Sequence, residues 1–374
     1  MSIQTSIQPP TQMSSRQLIT ELQSFGLLLA DSDKGGQSRR GGAGPSDHKA
    51  VTVAGQTVMV PIHTATARTS PFSAAAPDPN GITVLMREGR EVGRIAFPRP
   101  PRFYGLQTFD GVPYWKIALL HGRDTLATTV MQTCIRYRDQ RTACQFCAIG
   151  QSLEAGRTIA HKTPEQLAEV ARAAVLLDGV RDMVLTTGTP NLDDRGAAVL
   201  CDSAFAIKAA IDLPIQAQCE PPRDPVWYAR LKAAGADSLG MHLEAATQDV
   251  RARIMPGKAT VSIERYMDAF AHAVPVFGRG QVNTYILAGL GDTPEEILRL
   301  SERLITLGVY PFVVPFVPIS GTALENHAAP TPDFMRQVLR PLGRMLRDAK
   351  LRSVDIKAGC GRCGACSSLS AYED

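Results

Sequence analysis

The sequence predicts an α/β protein organised around a parallel sheet. Three observations carry this: strand-like and helix-like segments alternate from about residue 125, six such units succeed one another, and the helices between them open on recognisable caps. The strand candidates are Thr125–Thr133, Met183–Thr187, Ile215–Cys219, Ser238–Leu243, Val282–Ala288 and Tyr310–Val317. Thr163-Pro164-Glu165-Gln166 and Thr293-Pro294-Glu295-Glu296 each place a capping Thr, a Pro at the first helical position and Gln or Glu at the third. Asp224-Pro225 opens a further helix that Gly235 closes. Others are expected over about 196–211, 262–273 and 331–351, the last interrupted by Pro341. A repeat of roughly 25–45 residues suits either a barrel or an open doubly wound sheet, and periodicity alone does not choose.

Ahead of this series, residues 1–120 read as a small accessory domain. A helix candidate runs from Arg16 to Leu29, a Gly-rich stretch spans 35–45, and apolar alternation at 51–60, 82–86 and 92–97 marks strands of a β-rich or mixed unit. The Gly-rich stretch with Arg39 and Arg40 is either an anion-binding nest or a linker, and it lacks the Lys-Ser/Thr of a phosphate loop. Pro98, Pro100 and Pro101 stiffen the connection onward.

The chain has 374 residues, with Lys+Arg 40 against Asp+Glu 36 and a formal net charge of +4. So small and scattered an excess argues for neither nucleic acid nor a membrane surface as partner. No apolar run approaches the roughly 18 residues of a membrane span, and the N-terminal residues lack the basic and apolar regions of a signal peptide. The expected setting is the cytoplasm, where eight cysteines are not expected to pair as disulfides. Six of the eight fall into two tight groups.

Cys134, Cys144 and Cys147 come after the first strand of the series as Cys-x9-Cys-x2-Cys. Three thiolates leave one corner of a tetrahedral or cubane site open. A [4Fe–4S] cluster held this way keeps one iron for a substrate or cofactor, whereas zinc would want a fourth ligand, for which nearby His161 is a candidate. The end of a strand in a βα series is where such folds bind ligands, and Phe146 precedes the last cysteine. In these residues the sequence resembles the radical S-adenosylmethionine (SAM) superfamily. The resemblance implies that Cys134, Cys144 and Cys147 hold a [4Fe–4S] cluster, that SAM chelates the free iron through its amino and carboxylate groups, and that Phe146 lies near the adenine. The first loop is six residues longer than the family's usual Cys-x3-Cys-x2-Cys. The extra length carries Arg136, Arg138 and Arg141, either a solvated surface or a face toward an anionic substrate.

The resemblance continues through the later strand ends. Thr186-Thr187-Gly188-Thr189-Pro190 occupies the place of the family's Gly-Gly-Glu segment. The acid is absent, which leaves backbone carbonyls and the Thr187 and Thr189 hydroxyls for the SAM amino group, or else a plain strand-to-helix turn. Gln218-Cys219-Glu220-Pro221-Pro222 looks like strand ends of the lipoyl- and biotin-synthase groups, with Glu220 toward the SAM ribose and Cys219 a buried small residue. Gly289 stands in a Gly-rich turn similar to one near the adenine, and Pro318-Ile319-Ser320-Gly321-Thr322 resembles the family's turn at the sixth strand. Alternation puts His242 and Glu244 on one face and Leu243 on the other. Inside a barrel, two buried ionisable groups point to catalytic roles, the alternative being a simple His–Glu pair.

Near the C-terminus, Cys360, Cys363 and Cys366 form Cys-x2-Cys-x2-Cys with glycines that let the backbone curl around a metal. They are expected to hold a second, auxiliary [4Fe–4S] cluster whose fourth site takes substrate, a side chain or a sacrificial sulfur. Zinc, completed by a histidine or Cys219, and an unstructured tail are the alternatives.

The whole then reads as a partial (β/α)6 TIM-type barrel at 121–350, the radical SAM core, with a small N-terminal α/β domain at 1–120 and a Cys-rich tail at 351–374. The resemblance implies reductive cleavage of SAM to methionine and a 5′-deoxyadenosyl radical, which abstracts hydrogen from a small-molecule substrate. Ferredoxin or flavodoxin would supply the electron. Across its length the sequence most resembles a radical SAM family, related to biotin synthase, that is encoded beside nitrilases. That points to a small, nitrogen-containing metabolite of a nitrile-related pathway. Sulfur insertion of the lipoyl- or biotin-synthase type and a non-catalytic Fe–S or zinc scaffold are the competing readings.

Overall fold

The computed structural model describes residues 13–29 and 46–373, so the Gly-rich stretch at 35–45 lies outside the described residues. The N-terminal unit is a six-stranded sheet of order β1-β4-β5-β6-β2-β3. Its strands are β1 (Leu28–Leu29), β2 (His48–Val53), β3 (Gln56–Pro61), β4 (Phe72–Ala74), β5 (Ile82–Arg87) and β6 (Arg90–Ala96). The segment at 51–60 is a hairpin rather than one strand, because Ala54 and Gly55, at φ 49° and 80°, turn the chain. The helix Ser15–Phe25 stops short of Leu29 because Gly26, at φ 76°, caps it. Leu18, Ile19 and Leu22 of this helix close the sheet's apolar core.

The second sheet has seven strands in the order β13-β12-β11-β10-β9-β8-β7. These are β7 (Leu119–His121), β8 (Thr125–Thr129), β9 (Asp182–Thr186), β10 (Ile215–Gln218), β11 (Ser238–Gly240), β12 (Val282–Ala288) and β13 (Val309–Pro315). Strands β8 to β13 pair in parallel and in sequence order, while β7 lies antiparallel on β8 at the edge. With the intervening helices, this is the partial (β/α)6 barrel of TIM type. The extra strand β7, together with Phe103, Tyr114, Ile117 and Ala118, packs the residues just ahead of 121 into the barrel core.

Both predicted capping boxes are formed, by Thr163 with Gln166 and by Thr293 with Glu296. Pro341 does not interrupt its helix, which runs continuously over Pro332–Asp348, and Ile263–Phe277 likewise passes through Pro275. Buried Met335, Val338, Leu339, Leu342 and Leu346 fasten both halves of the first of these to the core, which outweighs the single backbone hydrogen bond that proline removes. Among the described residues, no helix is long and apolar enough to cross a membrane.

The two ends of the barrel carry different segments. The C-terminal strand ends lead into the Cys134–Cys147 loop, the Thr187–Thr189 turn and the His242–Glu244 segment. The tail crosses the opposite end. There the Gly359 and Cys360 amides donate to Asp182 and Gln216, and Arg362 pairs with Asp182 at 2.7 Å and Asp124 at 3.0 Å.

Candidate active site: a cavity between two cysteine groups

TIM-type barrels fill their interior with bulky side chains. Here the inner positions include Ala127, Val184 and Gly240, and the barrel retains a cavity of about 390 Å³. A Cβ on Gly240 would stand 2.9 Å from Gln218 Cγ and 3.0 Å from His242 Cε1, so glycine keeps this wall open. At the C-terminal strand ends the cavity is lined by Phe146, Cys147, Thr187, Gly188, His242 and Glu244. At the other end it is lined by His121, Cys360 and Cys366, and Gln23, His48 and Met59 of the N-terminal unit complete the wall.

The first cysteine loop is laced to the second strand end. The Gly188 amide donates to Met131 O at 2.9 Å and the Ile135 amide to Thr189 O at 3.0 Å. A Cβ on Gly188 would lie 2.1 Å from Thr133 O, so only glycine allows this approach. Cys134, Cys144 and Cys147 are free thiols, and Cys147 feels the charge of Cys134 as Cys144 feels that of Cys147. Burial pushes Cys147 up to about 11 and Cys144 further, against the pull of Lys258. Among the described residues, no three His, Cys, Asp or Glu side chains gather closely enough for a single metal ion. Three thiols without a fourth protein ligand suit an iron–sulfur cluster that keeps one iron open better than a structural zinc, which takes four ligands. His161 is exposed, in a backbone bridge with Met131, and does not line the cavity.

The arginines of the loop do not line the cavity. Arg136 donates to both Glu220 oxygens at 2.6 and 2.8 Å, Arg141 pairs with Asp139 at 2.9 Å, and Arg138 is exposed. Glu220 also accepts from Thr189 Oγ1 at 2.8 Å. Glu220 and Thr189 thus form a bracket tying the second and third strand ends to the cysteine loop, and neither lines the cavity. Gly289, at φ 104°, is packed against Pro330 with its carbonyl 2.8 Å from His327 Nε2, also outside the cavity lining. Cys219 faces the helical layer beside Tyr228, opposite Gln218, and therefore cannot complete the tail site.

His242 and Glu244 do line one face, with Leu243 in the core behind, yet they do not pair with each other. His242 Nδ1 accepts the Tyr285 amide at 3.2 Å. The proton therefore sits on Nε2, a buried atom with no hydrogen-bond partner among the described residues. Burial pulls this histidine down to about 4, so it is neutral. Glu244 adopts φ 69°, a left-handed backbone uncommon for this residue type, and accepts Lys258 Nζ at 2.8 Å. Burial alone would raise the carboxyl, but the Lys258 ammonium, by its charge and its hydrogen bond, holds it below its ordinary value. Lys258 comes from the short helix Pro256–Ala259 and carried no sequence signal.

The tail thiols are equally well held. Gln218 Nε2 donates to Cys360 Sγ at 3.1 Å, and the Tyr285 hydroxyl donates to the same sulfur. His121 Nε2 stands 3.2 Å from Cys366 Sγ, and burial pushes Cys363 up to about 12.

Residues 139–304 match the radical SAM superfamily, and the chain carries a radical SAM domain. A stretch of 126 residues is 32% identical to bacteriochlorophyllide c C-7(1)-hydroxylase of Chlorobaculum limnaeum, covering 33% of this chain and 31% of that protein. A probable dual-specificity RNA methyltransferase of Prochlorococcus marinus is 23% identical over 59% of this chain and 63% of its own length. Lipoyl synthase of Marinobacter nauticus is 28% identical over 45% of this chain and 47% of its own. The chain thus spans 31% to 63% of these curated relatives. The crystal structure of methylornithine synthase superposes with a TM-score of 0.47 at 18% identity, over 65% of this chain and 68% of that one.

Proposed function

We propose that this protein is a radical SAM enzyme acting on a small metabolite held between two cysteine sites. The observation that supports it most is the shared cavity, which Cys147 lines at one end and Cys360 and Cys366 at the other, in a chain with a radical SAM domain. Cys134, Cys144 and Cys147 would hold the SAM-binding [4Fe–4S] cluster. Phe146 and the backbone of Thr187, Gly188 and Thr189 would contact SAM, and Cys360, Cys363 and Cys366 would hold an auxiliary cluster. When bound, these groups supply reductive cleavage of SAM to methionine and a 5′-deoxyadenosyl radical that removes hydrogen from substrate, with ferredoxin or flavodoxin as electron donor. Glu220 and Gly289 would act on SAM only by shaping the strand ends around it.

The chain's own residues orient and enclose the substrate. His242 presents a neutral Nε2–H to a carbonyl, hydroxyl or nitrogen acceptor, and its tautomer is held by the Tyr285 amide. Among the described residues, Glu244 is the only carboxylate lining the cavity, and no Lys or Arg joins it there. With the Glu244 charge already met by Lys258, an uncharged metabolite suits this lining, whereas an acid would find no unpaired Lys or Arg in it. Val184, Leu287, Val314 and Phe316 form apolar wall that excludes water. A volume near the lower end of the small-molecule range favours a metabolite over a nucleic-acid substrate. A nitrogen-bearing compound from a nitrile-related pathway, handled in the reducing cytoplasm, meets these requirements.

The presence of Cys360 and Cys366 in the substrate wall favours a second reading, in which the tail cluster gives up sulfur to substrate. Anaerobically reconstituted protein given SAM and dithionite should form 5′-deoxyadenosine, and Cys147→Ala should not. Product that persists in Cys147→Ala would sink the first reading. Repeated turnover with all sulfide retained would eliminate the second.

A further inference from the structure

We infer that Gln132 selects the substrate together with His242: its side-chain oxygen is a fixed acceptor that demands an N–H or O–H donor on the bound molecule. The substrate class is then a neutral metabolite carrying both a donor and an acceptor, such as a primary carboxamide or a hydroxy ketone. This rests on the reading of the cavity as a substrate site and narrows what that site takes.

Gln132 is 1% exposed and lines the cavity three residues beyond the end of β8. Its backbone amide donates to Ala160 O at 2.8 Å, and Lys162 Nζ backs the same strand end by donating to Thr129 O at 2.7 Å. Two further bonds aim the side chain: Nε2 donates to Ile149 O at 3.0 Å and to Ser152 Oγ at 3.1 Å. A flipped amide would set Oε1 against the Ile149 carbonyl, so these bonds fix which end is which. Oε1 is left buried, with no hydrogen-bond partner among the described residues.

His242 is its counterpart. The Tyr285 amide holds the tautomer, and the Nε2–H is likewise buried and without a partner among the described residues. Gln132 follows β8 and His242 follows β11, with β9 and β10 between them in the sheet, so acceptor and donor belong to separate walls. Buried polar groups in folded proteins are paired, and one molecule that accepts from the imidazole and donates to the amide oxygen pairs both. An ether, ester or tertiary amine would pair His242 and leave Gln132 Oε1 stranded. An ammonium ion would find no unpaired carboxylate, because Glu244 is held by Lys258. The Thr129 and Thr186 hydroxyls also line the wall, but a hydroxyl turns to suit either partner and imposes no such demand. A site that lodges a donor in this way rejects analogues lacking it.

The test compares benzamide with acetophenone, which differ only in carrying NH₂ or CH₃ on the carbonyl carbon. Full-length protein, reconstituted anaerobically and loaded with SAM but given no reductant, is titrated with each by calorimetry. Benzamide should bind at least about tenfold more tightly than acetophenone. In Gln132→Met, which keeps the length of the side chain and removes the acceptor, the ratio should fall to about one. In His242→Phe both probes should weaken while the preference persists, and SAM affinity should hold in both variants. Equal binding of the two probes by the unaltered protein, or no binding of benzamide, would overturn the inference whether or not the variants fold. An unchanged ratio in Gln132→Met would also overturn it, and weakened SAM binding there would give the oxygen to SAM instead. None of these titrations needs turnover, so 5′-deoxyadenosine formation in unaltered protein and Cys147→Ala reports separately on the radical reading.

Discussion

At His242 a single backbone hydrogen bond decides the chemistry available. The Tyr285 amide occupies Nδ1, so the cavity meets an N–H donor, and burial keeps that ring uncharged. Replacing His242 with Phe should lower substrate conversion by about 10²-fold or more, the scale on which positioned polar groups contribute, while SAM cleavage without substrate persists. Equal loss of both activities would show that His242 serves the fold instead. The pH dependence has a definite sign. The ring titrates at about 4 in the native state against 6.5 unfolded, so the unfolded chain binds more protons between those values and stability falls as pH drops through that window. Urea midpoints measured from pH 7 to 4 should fall less steeply in His242→Gln. The pair Glu244–Lys258 carries a larger stake. Lys258→Met strands a buried carboxylate and should cost about 3–5 kcal/mol, much of it recovered in the double variant with Glu244→Gln. Additive losses in that cycle would contradict the pairing.

At the scale of elements, local rules were legible where local chemistry decides. The two Thr-Pro capping boxes, the six parallel strands and the cysteine groups are all written in short stretches of sequence. Pro341 misled because proline's local cost was weighed without the buried face that holds its helix. Pro341→Ala should accordingly leave the fold intact and raise the thermal midpoint, since it restores a helical N–H; a lower midpoint would mean that the proline shapes the packing. Strand β7 escaped notice because three residues at a sheet edge have no periodicity to show. Arg362 links the tail to Asp182, a carboxylate with no exposed side-chain surface. Arg362→Ala should release the tail and lower its iron content while the first cysteine site stays loaded. Unchanged iron in both sites would mean that the thiols and backbone contacts suffice.

The whole molecule is assembled around one cavity by parts remote in sequence. The helix Ser15–Phe25 reaches the tail through Thr20 with Ser368 at 2.9 Å and Gln23 with the Ala365 carbonyl at 3.0 Å, and Gln23 also lines the cavity. No motif announced these contacts, nor Lys258, nor His121, because each exists only through long-range folding. Conversely, Glu220 and Gly289 were legible by resemblance as cofactor neighbours, yet the side chain of one is taken by Arg136 and Thr189 and the other is backed by Pro330. The central claim is that two cysteine-held clusters face each other across one substrate cavity. Anomalous scattering at the iron edge, from crystals of anaerobically reconstituted protein, tests it most directly. The account predicts two iron sites per chain, one beside Cys134, Cys144 and Cys147 and one beside Cys360, Cys363 and Cys366, with the cavity between them. Iron at the first group alone, with the tail thiols empty or holding a single zinc, would contradict it.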